Sequence, residues 1–321
     1  PFYAPSNINK PFDRLPQFYF ESNAPLWAGI RVGIRGEVTS FDRDLDETLL
    51  SMNQLNNGAL VHGERFNAEP EIGWSIESPG WFVRTNAKYK HVQYKLQNQA
   101  SMGLDDPDLG IGIYSFDAGL VFERDMNRSG GWRQTLEPRL YYLYSEFEDQ
   151  TTLPLFDTSE LNFSFNQLFR DDRFSGGDRI ADADQMAFAL TSRILDPAGR
   201  ETARMSIGQV RYFEDRFVTL SNPLQTWLPR YSPLTNKSAL AGEIAFSLGD
   251  NWRFNTDIQS EIKVSSNKNL RLDFFLSENS EILGEVKVKG NTFNKTKASP
   301  VSLRTINASE ISKSAGGNRD I

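Results

Sequence analysis

The chain has 321 residues, 12% of them aromatic and 24% charged, with a net charge of −7. It has no cysteine, which excludes disulfides and thiolate metal sites, and no apolar run of the ~18–20 residues that a membrane helix requires. The acidic balance, with no basic stripe carrying interleaved aromatics, speaks against nucleic acid as a partner. Mean hydropathy is only −0.49 although aromatics are plentiful. That combination suits strands in which only every second residue is apolar.

Period-2 alternation predicts about twelve strands, at 14–22, 27–41, 64–77, 80–96, 110–126, 132–147, 185–195, 203–213, 239–248, 251–263, 269–277 and 281–289. In 64–77, Phe66, Ala68, Pro70, Ile72, Trp74 and Ile76 share one face, opposite Arg65, Asn67, Glu69, Glu71, Ser75 and Glu77. In 132–146, Leu136, Pro138, Leu140, Tyr142 and Tyr144 oppose Arg133, Glu137 and Arg139. The segment 251–263 divides the same way, with Arg253, Asp257, Glu261 and Lys263 on the charged side. Pro70 and Pro138 inside strands point to edges or bulges.

Tight and long connections take turns. The tight ones fall at Asn23-Ala24-Pro25, Ser78-Pro79-Gly80, 127–131, 196–200, Gly249-Asp250 and Glu278-Asn279-Ser280. Longer ones fall around 42–63, 97–109, 148–183, 214–238 and 264–268. Trp27, Trp81, Trp132 and Trp252 each follow a tight turn within two residues, as an interfacial girdle would. A half-buried soluble sheet gives the same alternation. The dense charged face, strands of 9–17 residues and the turn rhythm favour instead an all-β, antiparallel up-and-down transmembrane β-barrel, incomplete, about twelve strands of a larger one. Residues 1–289 are read as this partial barrel and 290–321 as a polar tail without alternation, disordered or non-native. The start at Pro1 and the polar tail are read as marks of a fragment.

The stretch 122–216 is more specific than a generic barrel. It contains Gln134-Thr135-Leu136-Glu137-Pro138-Arg139-Leu140-Tyr141-Tyr142-Leu143-Tyr144 and Gln167-Leu168-Phe169-Arg170-Asp171-Asp172-Arg173-Phe174-Ser175-Gly176-Gly177-Asp178-Arg179. Gly208-Gln209-Val210-Arg211-Tyr212-Phe213 follows, while His62-Gly63-Glu64-Arg65 and Pro79-Gly80-Trp81-Phe82-Val83-Arg84 precede it. Collinear over about 12–276, these segments resemble the barrel domain of the LPS-assembly protein LptD (OstA/Imp) family of Gram-negative outer membranes.

The resemblance implies a very large barrel with a periplasmic jellyroll, plugged by an LptE-like lipoprotein and fed with lipopolysaccharide by an LptA-like bridge protein through that jellyroll. It further implies integral location in outer-membrane lipid and insertion of lipopolysaccharide into the outer leaflet. This chain matches the middle of that barrel, without the jellyroll, seam strands or flanking cysteines, and is expected not to transport alone. The alternative is a general porin-like diffusion channel, which should show a pore-constricting loop and a terminal aromatic strand.

The long connection 148–183 has its own apolar complement, Phe156, Leu161, Phe163, Phe165, Leu168, Phe169 and Phe174, and is expected to fold into or over the lumen. Arg170, Asp171, Asp172, Arg173, Asp178 and Arg179 are its candidate plug-contact residues, in line with the family's plug; a self-supporting charge lattice that touches no partner is the other reading. Glu123, Asp125, Glu137 and Arg139 are candidate lumen-facing groups, against the plainer reading of a cross-strand charge ladder. Tyr141, Tyr142 and Tyr144 read as girdle residues. Asp42, Asp44, Asp46 and Glu47 lack the glycine and glutamate of a calcium loop, and Asp105, Asp106 and Asp108 read as a solvated tip. His62 and His91 have no nucleophile motif or metal-ligand spacing, so no enzyme activity, cofactor or metal is expected.

Overall fold

Alternating apolar and polar side chains become one antiparallel sheet. The computed structural model describes residues 10–99, 104–126, 130–220, 236–248, 252–264 and 270–277. All lie in a unit spanning Pro1–Glu281; the expected strand at 281–289 and the tail 290–321 lie outside the described residues. The strands are β1 (Asp13–Pro25), β2 (Ile30–Asp42), β3 (His62–Ser78), β4 (Trp81–Gln97), β5 (Asp108–Leu120), β6 (Phe122–Asp125) and β7 (Arg133–Ser145). After the short β8 (Ser159–Glu160) and β9 (Phe174–Ser175) come β10 (Ala183–Leu195), β11 (Glu201–Tyr212), β12 (Leu240–Leu248), β13 (Trp252–Val264) and β14 (Leu270–Ser277). The sheet runs β1-β2-β3-β4-β5-β7-β10-β11-β12-β13-β14, with β6 continuing β5 along β7, and β8–β9 forms a separate ribbon. Eleven of the twelve expected strands are thus present in their expected order. Among the described residues β1 and β14 each have one partner, so the barrel is not closed.

Register puts the two side-chain sets on opposite faces. Phe66, Ile72, Trp74, Phe116, Leu136, Phe188, Leu190, Met205, Ile207 and Phe246 all stand exposed on one face. A water-soluble sheet would not leave so many large apolar side chains bare, because burying each is worth about 1.5–3 kcal/mol. The core lies on the other face, where Val92, Tyr94, Leu96, Ile111, Ile113, Leu143 and Val210 are buried beneath Leu153, Phe156, Phe165, Leu168 and Ile180 of the long connection. Leu168 reaches Gly208, where an added Cβ would lie 2.5 Å from its Cδ1 and 2.8 Å from the Phe188 carbonyl. Tyr141 belongs to this buried face rather than to a girdle, because in β7 it shares the parity of Arg139 and Leu143.

Each proline inside a strand coincides with a gap in one ladder. Pairing of β3 with β4 skips from Ala68↔His91 to Glu71↔Lys88, around Pro70. Pairing of β7 with the preceding strand skips from Gly119↔Arg139 to Phe122↔Leu136, around Pro138, while the Val121 N–H turns to the Gly80 carbonyl at 2.8 Å. The β1–β2 register shifts around Pro16. Lacking an N–H, proline can keep only one neighbour's ladder intact.

The first tight turn sits three residues later than the sequence suggests. Leu26 to Gly29 make it, with Ala28 and Gly29 at φ 54° and 80°. The Trp74 Nε1–H donates to the Ala28 carbonyl at 3.1 Å and the Ser75 N–H to the Gly29 carbonyl at 3.0 Å, which fixes it there. The β2–β3 connection also contains a short helix, α1 (Met52–Asn56), closed by a reciprocal Ser51–Gln54 capping box that alternation does not reveal.

Leu168→Ala in the full-length protein should cost about 2–5 kcal/mol of packing between the long connection and the wall. Limited proteolysis should then cut between 146 and 182 faster, while the heat-modifiable mobility of the folded barrel persists.

Candidate functional site

The connection 146–182 folds against the polar face of the sheet and holds its own shape. The Gln150 amide exchanges two hydrogen bonds with the backbone of Ile180, at 2.7 and 2.9 Å. Arg179, 1% exposed, donates to the carbonyls of Leu153, Pro154, Asp178 and Thr219 at 2.8–3.2 Å. Burial lowers the pKa of that guanidinium, and the carbonyl dipoles stand in for a carboxylate partner. The β8–β9 ribbon and a 3-10 helix (Phe165–Phe169) complete the segment.

One arginine of the wall joins this segment to the sheet. Arg65, in β3 and 1% exposed, directs Nη1 at Asp157 Oδ1 and Asp178 Oδ1, both at 2.6 Å. Its Nη2 donates to Asp157 Oδ2 at 2.9 Å and to Glu37 Oε1 of β2 at 3.0 Å, and its Cζ lies 4.7 Å from the Phe41 ring centroid. The second Asp178 oxygen accepts from the N–H groups of Phe156 and Asp157, at 2.8 and 2.9 Å, while Tyr94 Oη donates to the first at 3.0 Å. Burial opposes ionisation of Asp178, but the Arg65 guanidinium and the Asp157 N–H outweigh it and hold the carboxyl below the usual carboxylate range. Gly176, at φ 78°, and Gly177 bring the chain this close: a Cβ on Gly177 would sit 2.5 Å from Asn67 Nδ2 and 2.7 Å from Arg65 Cζ.

Farther along, Lys88 Nζ donates to Asp171 at 2.5 Å and Lys90 Nζ lies 3.7 Å from Asp172. Burial opposes ionisation of Asp171, yet Lys88 outweighs it and the pKa falls; at Asp172 burial prevails over Lys90 and the pKa rises. Arg139 is bidentate to Asp117 at 2.8 Å and stacks 3.7 Å over the Phe169 ring.

Of the six segment residues expected to form a lattice, the three aspartates bond outward to the wall, while Arg173 and Arg179 bond chiefly within the segment. Asp171, Asp172 and Asp178 meet cations of β3 and β4, and Arg173 pairs with Asp182 at 2.9 Å while reaching the Val218 carbonyl. Arg170 is exposed and makes no ion pair among the described residues. Glu123, Asp125, Glu137 and Arg139 all share the face that bears the segment, and three of them enter cross-strand pairs: Glu123–Arg133 at 2.8 Å, Glu137–Arg193 at 3.2 Å and Arg139–Asp117. Trp27, inside the first tight turn rather than after it, Trp81 and Trp132 are exposed at one end of the sheet; the side chain of Trp252 lies outside the described residues. Asp46 accepts from the Thr48 N–H at the start of a 3-10 turn. Among the described residues no cluster of three carboxylate or histidine groups could hold a metal ion. Arg65, Glu37, Tyr94, Lys88, Lys90 and Gln150 escape sequence reasoning, since alternation gives their face but not their partner.

A family model described as "LptD: LPS transport system D" matches residues 4–280. LPS-assembly protein LptD of Ectopseudomonas mendocina is 34% identical over 295 residues, covering 79% of this chain and 31% of that protein. The Pseudomonas aeruginosa protein of that name is 36% identical over 279 residues, with 77% and 30% covered. The Nitrosomonas eutropha protein is 38% identical over 223 residues, with 68% and 29% covered. The chain thus spans about a third of the length of these curated relatives.

Arg65→Met in the full-length protein should cost about 3–5 kcal/mol by leaving the buried Asp178 carboxylate without its cation. The expected readout is rapid proteolysis within 146–182. Gly177→Ala should weaken docking in the same assay by displacing Arg65. Because the Asp178 pKa is lowered on folding, its contribution is fully present above the ordinary carboxylate value of about 3.9 and is lost as pH falls through the lower folded value. Segment docking should accordingly weaken below about pH 4, and Asp178→Asn should flatten that dependence.

Proposed function

The chain belongs to the LPS transport system D family, and from that premise we propose that it is part of an outer-membrane barrel that delivers lipopolysaccharide to the outer leaflet. The carrying observation is the sheet's two-sidedness: a bare apolar face and a polar face that bears an infolded segment. In a bilayer the apolar face meets lipid and the charged face lines an aqueous lumen, so both satisfy their solvent. Girdle spacing supports the same orientation. Trp132 and Tyr144 bracket β7 twelve residues apart. That is about 40 Å along a strand rising ~3.4 Å per residue, or about 30 Å along the normal at a tilt of ~40°. Tyr114, Tyr142, Tyr144 and Phe213 then form the aromatic row at the long-connection end, with Trp27, Trp81 and Trp132 at the other.

Within this reading the infolded segment narrows the lumen, and its exposed Arg170 is the group available to an LptE-like lipoprotein plug. Arg173 and Arg179 serve the segment itself, being tied to Asp182 and to backbone carbonyls. An LptA-like bridge would feed the parent protein through domains beyond this chain. The role is non-enzymatic: the wall supplies a path and the parts that hold it open, without a catalytic group.

Two measurements on the full-length protein test this. A photo-crosslinking residue at Arg170 should capture the lipoprotein partner in intact outer membranes; the same residue at Ile113, buried under the segment, should not. Ile207→Arg on the bare face should cost about 2–4 kcal/mol if it lies near the bilayer midplane, and Ile207→Leu almost nothing. Unchanged barrel assembly with Ile207→Arg would contradict a lipid-facing surface. Normal lipopolysaccharide display after depletion of the parent protein would contradict the transport reading.

A further inference from the structure

Just ahead of β12, its ladder with β11 carries an extra residue. Pairing runs from Gly208↔Ala241 to Arg211↔Lys237, so a step of three residues in β11 is matched by four on the other side. Such a bulge re-aims a side chain. Ser238 holds it in place: its Oγ accepts from the Val210 N–H at 2.9 Å and its carbonyl from the Gln209 amide at 2.8 Å. A regular ladder would set Ser238 opposite Arg211, and the bulge sets Lys237 there instead.

Two cations thereby meet at close quarters. The Tyr212 N–H donates to the Asn236 carbonyl at 3.0 Å and the Ser238 N–H to the Val210 carbonyl at 2.9 Å, one bond on either side of the pair. Arg211 and Lys237 are therefore a non-hydrogen-bonded pair, the arrangement in which Cα atoms approach to about 4.5 Å and side chains stand closest. Like charges so placed repel. Both residues are exposed, and among the described residues neither makes an ion pair or a side-chain hydrogen bond. Asp184, on the same face of β10, is engaged by Tyr142 Oη at 2.9 Å instead. Glu214 and Asp215, just past β11, pair with neither cation, and 216–242 holds Arg216, Arg230 and Lys237 but no Asp or Glu.

Position decides which anion the pair suits. Arg211 is in register with Met186 and, through it, with Tyr142, so the pair stands at the level of the aromatic row that borders the apolar band. Toward the middle of the strands lie Phe188, Ile207, Met205 and Ile244, all exposed and apolar. An anion in free solution uses the cations alone, whereas an amphiphile uses the band as well. A guanidinium fork takes phosphate oxygens two at a time and an ammonium adds a point charge, so the two together match a group with more than one negative charge.

We infer that Arg211 and Lys237 hold the phosphate headgroup of a lipid of the leaflet at the long-connection end, its acyl chains lying on Phe188, Ile207 and Met205. The inference rests on the lipid-facing reading above. It places a resident lipid on the outside of the wall, not cargo in the lumen. The phosphate offsets the repulsion that the bulge creates.

The test uses the full-length protein purified with its lipoprotein partner in non-ionic detergent. Native mass spectrometry would compare retention of phosphatidic acid with that of phosphatidylcholine of the same chains, with inorganic phosphate as competitor. Phosphatidic acid should be retained in preference and should raise the unfolding temperature. Arg211→Gln and Lys237→Gln should each weaken its retention about fivefold, the scale of one cation at a membrane surface. Without added lipid both variants should unfold at or above the wild-type temperature, because the repulsion is gone. Lys95→Gln, on the same face but in register with Glu64, should leave retention unchanged. Equal retention of the two lipids, unaltered retention in both variants, or displacement by inorganic phosphate at equal concentration overturns the proposal. Unfolding of both variants below the wild type without lipid overturns it too, since the pair would then stabilise the fold unaided. The lipid-facing reading is decided separately by Ile207→Arg. If that variant fails to assemble while phosphatidic acid is not retained, only the headgroup site falls.

Discussion

A guanidinium taken out of water must find acceptors, and the two terminal nitrogens of Arg65 find theirs in three stretches of chain that the sequence keeps far apart, while its buried Nε is left without a hydrogen-bond partner. Glu37 comes from the neighbouring strand, while Asp157 and Asp178 come from the infolded segment, 92 and 113 residues onward. If the segment moved by even a few ångströms, a nearly fully buried charge would lose two of its three carboxylates. The same carboxylates bind the segment's own backbone, so one cluster sets the segment's internal shape and its seat on the wall. Gly177 is the steric complement of that cluster, because only a residue without a Cβ lets the chain reach the guanidinium plane.

Apolar packing then works with this electrostatic anchor. Phe156 stacks on Phe41 with centroids 4.5 Å apart and meets Phe12 edge-on at 4.8 Å, and Leu168 closes over Gly208. These contacts lie on the sheet face that alternation marks as polar. The wall meets the segment with Val92, Tyr94, Ile111, Ile113 and Leu143 because, at the long-connection end of β4, β5 and β7, the inward positions change from charged to apolar. The inner face is thus a charge ladder toward the tight turns and a hydrophobic seat toward the long connections. The outer face is apolar along the middle of the strands, giving way to Glu64, Gln93, Lys95 and Arg211 toward the long connections, and its apolar band is left for a solvent other than water.

Much of the fold can be read from local pattern. In β3 or β7 each residue's face follows from its parity, and parity survives an error of a few residues in strand ends. Ladder gaps at Pro70 and Pro138 were likewise readable as departures from regular pairing. The first turn was not, because Asn23-Ala24-Pro25 has strong turn composition while the actual turn at Ala28-Gly29 is held by Trp74 and Ser75 of another strand. Tyr141 was misassigned for a related reason: three tyrosines in four positions look alike in composition, and parity alone separates the buried one from its neighbours.

The sequence by itself determined the class of sheet, the order of its strands, which side chains share a face, and that 148–183 has enough apolar residues to pack. Each of these depends on neighbours within a few residues, where backbone geometry gives a fixed period. Only the tertiary structure decided that the segment lies on the polar face, that Asp157, Asp171, Asp172 and Asp178 pair with Arg65, Lys88 and Lys90 while Asp182 keeps the segment's own Arg173, and that Arg179 is satisfied by carbonyls. Those choices depend on distances between residues remote in sequence. An aspartate's composition is the same whichever cation it meets, and the partner is set by which buried charge would otherwise stay unpaired.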